Sequence, residues 1–177
     1  MTDPRTSQWL DKLEVTELVM KLARGIDRCD AELIRSVFWP DATDDHGLFT
    51  GSANAFAEWV IPVLKGMERT SHQICNVLVE VRGARAFSES YFIAYHRIVK
   101  DGDERDMVAA GRYLDRHEKR AGEWRIAHRQ AVYDWTIEQP AADSDWRKPP
   151  LSGLLERGRR FGEDRSTRDR LAWLGDD

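Results

Sequence analysis

An imidazole beside a carboxylate can take a proton from carbon or from a hydroxyl without a cofactor. The carboxylate orients the ring, selects its tautomer and offsets the charge that develops on it. In this chain the residues that could form such a couple are Asp27 and His72. His72 stands in RTSHQICNVLVEV, where strand alternation groups it with Ile74, Asn76 and Leu78. Asp27 follows Ala23 and Met20 at helical spacing and so borders an apolar stripe. Taken singly, each has an ordinary explanation. A strand histidine is commonly a hydrogen-bonded core or surface residue, and an aspartate near a helix end is commonly a cap or an ion-pair partner. Only a fold that joins them makes a couple.

The other histidines sort by context. His46 lies in DATDDHGLF, after two acids and before a glycine turn, and His96 lies in SESYFIAYHRIV. His128 neighbours Arg129, and His117 in DRHEKR reads as solvated near a strand end. A mixed site of Asp27, His46, His72 and His96 could hold a metal, but no H-x-H or H-x-x-x-H occurs and no metal is assigned. Cys29 and Cys75 form no C-x-x-C motif, so neither a zinc site nor a disulfide framework is indicated. Arg112 and Arg129 fall inside predicted strands. They either brace the sheet against acids such as Asp115, or one reaches a pocket and holds an electron-rich substrate group. Trp39, Phe56, Tyr91 and Tyr95, with Phe38, Phe49 and Trp59, suit either a pocket wall for an apolar, aromatic ligand or ordinary core.

The elements that would position these groups follow from periodicity. Val15, Leu18, Val19, Leu22 and Ile26 predict a helix over 8–29. A short helix over 31–38 stops at Pro40, an extended stretch runs from Asp41 to a turn at Gly47, and a third helix over 53–64 is interrupted near Pro62. Residues 70–81, 86–99, 105–119 and 123–138 then read as strands separated by glycine turns. Helices followed by an antiparallel meander predict an α+β fold, a curved sheet packed on about three N-terminal helices with a concave mouth. Residues 1–139 form this domain. Residues 140–177, with Pro140, Pro149, Pro150 and mixed charge, read as an extension with a short helix that packs on a neighbouring subunit or covers the pocket; the alternative is a partly disordered tail.

Composition narrows the function classes. The chain has 177 residues with 41% hydrophobic and 33% charged, a globular balance, and a formal charge of −4 that gives nucleic acid no general attraction. No apolar run reaches the ~20 residues of a membrane span, and MTDPRTSQWLDKLE is not a signal peptide, so the expected location is cytoplasmic.

The stretches ARGIDRCDAELIRSVFWPDA, DDHGLFTG, RTSHQICN and GRYLDR followed by GEWRIAHR resemble the nuclear transport factor 2-like, or SnoaL-like, superfamily over residues 8–138. Within it, the scytalone dehydratase and hexachlorocyclohexane dehydrochlorinase branches carry a catalytic Asp and His at positions that fall on Asp27 and His72. The dehydratases' second His corresponds to His96, and their Tyr after the second helix is His46 here. The dehydrochlorinase has an Arg resembling Arg129, but its lysine falls on Leu22. A further branch cleaves a hydroxymethyl group from lignin-type aromatic dimers, releasing formaldehyde. The resemblance thus implies a cone-shaped fold and a cofactor-free lyase of aromatic compound metabolism. His72 would be the base and Asp27 its orienter, His46 or His96 would be the acid or orient the leaving oxygen, and Arg129 would position a polar substrate group. It also implies a homo-oligomer, a trimer or dimer, with a small-molecule substrate and neither nucleic acid nor membrane as partner. The rival readings are an isomerase or cyclase of a polycyclic ligand using Asp27 as base, and a non-catalytic binding module or dioxygenase accessory subunit.

Overall fold

A computed structural model describes residues 3–142 and 149–175. Helix α1 spans Pro4–Arg28, α2 Ala31–Ser36 and α3 Ala53–Lys65. The strands are β1 Phe38–Asp45, β2 Thr50–Ser52, β3 Arg69–Arg82, β4 Arg85–Lys100, β5 Asp103–Arg120 and β6 Glu123–Pro140. They form one curved, unclosed six-stranded sheet in the order β2-β1-β6-β5-β4-β3. The β3–β6 meander is antiparallel, as expected, while β1 joins β6 in parallel and β2 returns antiparallel on the edge.

Local chemistry sets the helix boundaries. Asp30 caps α2 by accepting the Leu33 N–H, and Ser52 caps α3 by accepting the Ala55 N–H. The interruption expected near Pro62 does not occur: α3 continues to Lys65. Pro62 lies on the exposed side, where the carbonyl that its ring deprives of an amide partner can be hydrated. Helix α1 packs on β3, and α3 packs on β1. Between helices and sheet, Leu22, Ile26, Ile34, Val37, Phe56 and Ile126 make the main core, and Phe92, Ala94, Tyr113 and Ala131 make a separate apolar patch on the meander.

Bulges decide which strand residues face inward. In β3 the register shifts between Ile74 and Val77. The phase flips there, so Val77, Val79 and Val81 pack inward with Val15 and Trp124, and Leu78 is exposed. His72 and Ile74 therefore do not share a face with Asn76 and Leu78, contrary to simple alternation. A second shift lies where Ala110 and Gly111 meet β6. A Cβ on Gly111 would clash with the Val132 carbonyl oxygen, so the close approach of the two backbones requires glycine.

Beyond β6, single 3₁₀ turns cover Leu151–Gly153 and Phe161–Glu163, and helix α4 spans Arg165–Leu174. This segment folds back onto the C-terminal end of α1: the Arg28 guanidinium donates to the Asp164 carboxylate at 2.9 Å and to the Arg159 carbonyl at 2.8 Å.

Candidate active site

Asp27 occupies the last turn of α1 and His72 the fourth position of β3, and packing of α1 on β3 brings them together. The carboxylate engages His72 twice. Oδ1 lies 2.7 Å from His72 Nδ1, and Oδ2 accepts the His72 backbone N–H at 2.8 Å. The double contact fixes the ring relative to its own backbone and leaves Nε2 as the uncommitted ring nitrogen. Burial by itself would raise the Asp27 pKa. The hydrogen bonds from His72 and the charges of His72 and Arg28 outweigh it, and the carboxyl is held below its ordinary value.

His96 stands edge-on to His72, ring centroids 5.3 Å apart, and is buried. Burial first, then the neighbouring His72, push its pKa down to about 4, so it is a neutral imidazole at physiological pH. Such a ring donates from one nitrogen and accepts at the other.

His46 closes the other side. Its Nδ1 lies 2.6 Å from Asp44 Oδ1, and its ring stacks on Phe56 at 4.7 Å between centroids. Asp44 is fully buried, on β1 beside Arg129 of β6. Asp44 is not among the candidates read from the sequence, although a signal was there: Asp44 and His46 stand two apart in DATDDHGLF, and alternation puts them on one face of an extended strand. Asp44 and His46 thus form a second carboxylate–imidazole couple.

Both couples open onto one cavity of about 400 Å³ between α3 and the concave face of the sheet. His46, His72 and His96 all line it. The rest of its wall is dominated by apolar and aromatic side chains, among them Phe56, Trp59, Phe92, Tyr113 and Tyr133. Among the described residues, no Lys or Arg and no carboxylate lines it. Asp27 and Asp44 stand behind their histidines.

Several expected wall residues lie elsewhere. Arg129 does not reach the cavity. Its guanidinium pairs with Asp115 at 2.7 and 2.6 Å and sits 4.0 Å from the Tyr113 ring centroid, so it braces the sheet behind the pocket. Tyr95 donates to Asp106 at 2.6 Å outside the cavity, and Tyr91 is 44% exposed. Both point away because odd-numbered positions of β4 face outward. Trp39 donates from its indole to the Glu118 carbonyl at 3.0 Å and is flanked by Arg120 and Arg125. Of the seven aromatic candidates only Phe56 and Trp59 line the cavity. His117 is not solvated: it is 1% exposed, its Nε2 lies 2.9 Å from Ser88 Oγ, and burial pushes its pKa down to about 4. Among the described residues no group of three or more His, Cys, Asp or Glu is arranged to hold a metal ion.

A SnoaL-like domain profile matches residues 7–130. The chain belongs to the SnoaL-like domain family. Uncharacterized protein Rv2910c of Mycobacterium tuberculosis is 28% identical over 123 residues, covering 67% of this chain and 82% of that protein. Among solved structures, a hexachlorocyclohexane dehydrochlorinase (LinA type 2) superposes with a TM-score of 0.69 at 18% identity, covering 82% of this chain and 99% of that one. A protein of Novosphingobium aromaticivorans, provisionally assigned as a scytalone dehydratase, gives 0.66 at 18% identity over 89% and 97% of the two chains. At this identity the structural likenesses establish the cone-shaped α+β fold. In this SnoaL-like protein the matched domain contains Asp27, Asp44, His46, His72 and His96, and the segment carrying α4 lies outside it.

Proposed function

We propose that this SnoaL-like protein is a cofactor-free lyase acting on a small, uncharged, hydroxylated aromatic or polycyclic compound. The observation that carries the reading is the pair of carboxylate–imidazole couples opening on one apolar cavity. His72 Nε2 is the general base. Asp27 is a positioning residue: it holds the ring through Nδ1 and does not line this cavity. His46, backed by Asp44, is the general acid. His96 is the neutral imidazole that orients the leaving or departing oxygen.

In a dehydration, His72 takes a proton from carbon, the C–H electron pair forms the new double bond, and the neighbouring hydroxyl leaves as water with a proton from His46. In the related C–C cleavage, His72 takes the proton of a hydroxymethyl group. Formaldehyde departs, and the C–C electron pair forms the double bond as the adjacent benzylic oxygen leaves, protonated by His46. Both routes suit a cavity without a cationic side chain, which offers an anionic substrate group no direct counter-charge.

The test is product mass from a panel of neutral benzylic alcohols and diaryl propanoids. Loss of water or formaldehyde supports the lyase, and conserved mass would instead indicate an isomerase. His72→Ala is expected to lower turnover roughly 10²–10⁴-fold with the fold intact; near-normal turnover refutes the assignment. We further propose that the protein is a homo-oligomer, trimer or dimer, working in the cytoplasm. Sedimentation of the purified chain tests the assembly, and a requirement for a larger partner would favour the accessory-subunit reading.

A further inference from the structure

Arg160 lies in the C-terminal segment, beyond the matched domain that ends at residue 130. Its guanidinium nevertheless reaches three elements of the site. Nη1 donates to the Asp27 carbonyl oxygen at 2.5 Å and to Thr70 Oγ1 at 2.6 Å, and Nη2 donates to the Leu64 carbonyl at 3.2 Å. These acceptors are the last turn of α1, the start of β3 and the last turn of α3. Asp27 is one of the dyad residues. Thr70 is buried two positions before His72, on the same strand face, and is the register partner of His96 on β4. Leu64 lines the cavity.

The chemistry of a helix end explains why a cation belongs here. The last four carbonyls of a helix lack intrahelical amide partners, and the helix dipole places negative potential on them. A planar guanidinium satisfies several such acceptors at fixed angles, which a flexible ammonium does not. The grip is reciprocal. Arg28, next to Asp27, donates to the Arg159 carbonyl and to Asp164, and Asp164 also accepts the Arg159 N–H at 2.8 Å. The end of α1 is therefore clasped from both sides, at the residue whose two carboxylate oxygens hold His72. A small rotation of that last turn would break both contacts at once.

We propose that Arg160 is a positioning residue that locks the Asp27–His72 couple, so that the C-terminal segment completes the active site from outside the family domain. The proposal deepens the lyase reading, since the couple is its base, but its test needs no substrate. In the full chain labelled with nitrogen-15, Arg160→Met is expected to lower hydrogen-exchange protection of the His72 amide at least about tenfold, the order of one hydrogen bond to a charged group. It should also shift the His72 ring-nitrogen resonances. Amides of central β5 should keep their protection. Arg160→Lys should fall between the two. With a substrate in hand, kcat falls while KM holds, because Arg160 does not line the cavity.

Wild-type protection and ring signals at His72 in folded Arg160→Met would overturn the proposal. So would a uniform loss of protection across the sheet, which would make the segment a general stabiliser. If Arg160→Met does not fold, Thr70→Val removes one acceptor and is read by the same signals, with the same outcomes. Absence of lyase activity, by contrast, would leave the exchange result intact and count only against the reaction.

Discussion

Replacing Asp27 by Asn changes one oxygen to NH₂ and leaves the shape of the side chain unchanged. Asp27 accepts two hydrogen bonds, from His72 Nδ1 at 2.7 Å and from the His72 backbone N–H at 2.8 Å. Asn has only one acceptor oxygen. If that oxygen keeps the backbone N–H, the NH₂ faces Nδ1 and forces it to be the unprotonated nitrogen. The proton then sits on Nε2, and the nitrogen available to the cavity is a donor rather than a base. If the amide flips instead, its NH₂ meets the backbone N–H, donor against donor. Either way about one charged hydrogen bond is lost, roughly 1.5–3 kcal/mol of stability. Turnover should fall further than stability implies, by roughly 10²–10⁴-fold, because the couple acts as a unit. The exchange also removes a pH-dependent contribution. A carboxyl whose pKa is lowered in the fold adds stability above its unfolded value of 3.8 that is lost as pH falls through the folded value. Urea unfolding at pH 7 and pH 3.5, ring-nitrogen shifts of His72 and single-turnover rates would measure the three effects. A folded Asp27→Asn protein with the wild-type tautomer and turnover within about tenfold of wild type would refute the reasoning.

Two further outcomes follow from buried groups away from the couple. Arg129→Met should cost about 3–5 kcal/mol, because it strands the buried Asp115, and Arg129→Met with Asp115→Leu should recover most of it; a stable single variant with a raised KM would return Arg129 to substrate binding. His96 and His117, both held to about 4 against 6.5, mainly by burial, stay neutral in the fold but charge on unfolding. Their contribution to stability is full above pH 6.5 and is lost as the pH falls from there to about 4. His117→Gln should flatten that loss in urea midpoints, and an unchanged profile would show that His117 is not its source.

The periodic elements were legible in the sequence because apolar spacing and turn chemistry act locally. The α1 stripe from Val15 to Ile26 and the glycine turns of the meander needed no tertiary information. Asp27, His72, His46 and His96 could be picked out by residue type together with resemblance, and Asp44 lay one alternation step from His46. What alternation could not supply was the phase after a bulge. The shift between Ile74 and Val77 turns Leu78 outward, and β6 departs from simple alternation where it meets Gly111. A bulge is a property of two strands in register, and neither strand's own sequence states it.

The sequence by itself determined that the chain carries carboxylates and imidazoles able to form acid–base couples on an α+β scaffold. The tertiary structure decided which groups meet. It paired Asp27 with His72 and Asp44 with His46, and it withdrew Arg129 from the cavity to Asp115, leaving a wall without cations among the described residues. It also brought Arg160, 133 positions away in the chain, onto the Asp27 carbonyl. Local propensity has no reach over such distances. Those partners are chosen by the burial of apolar faces and by the need of each buried charge and helix-end carbonyl for a partner.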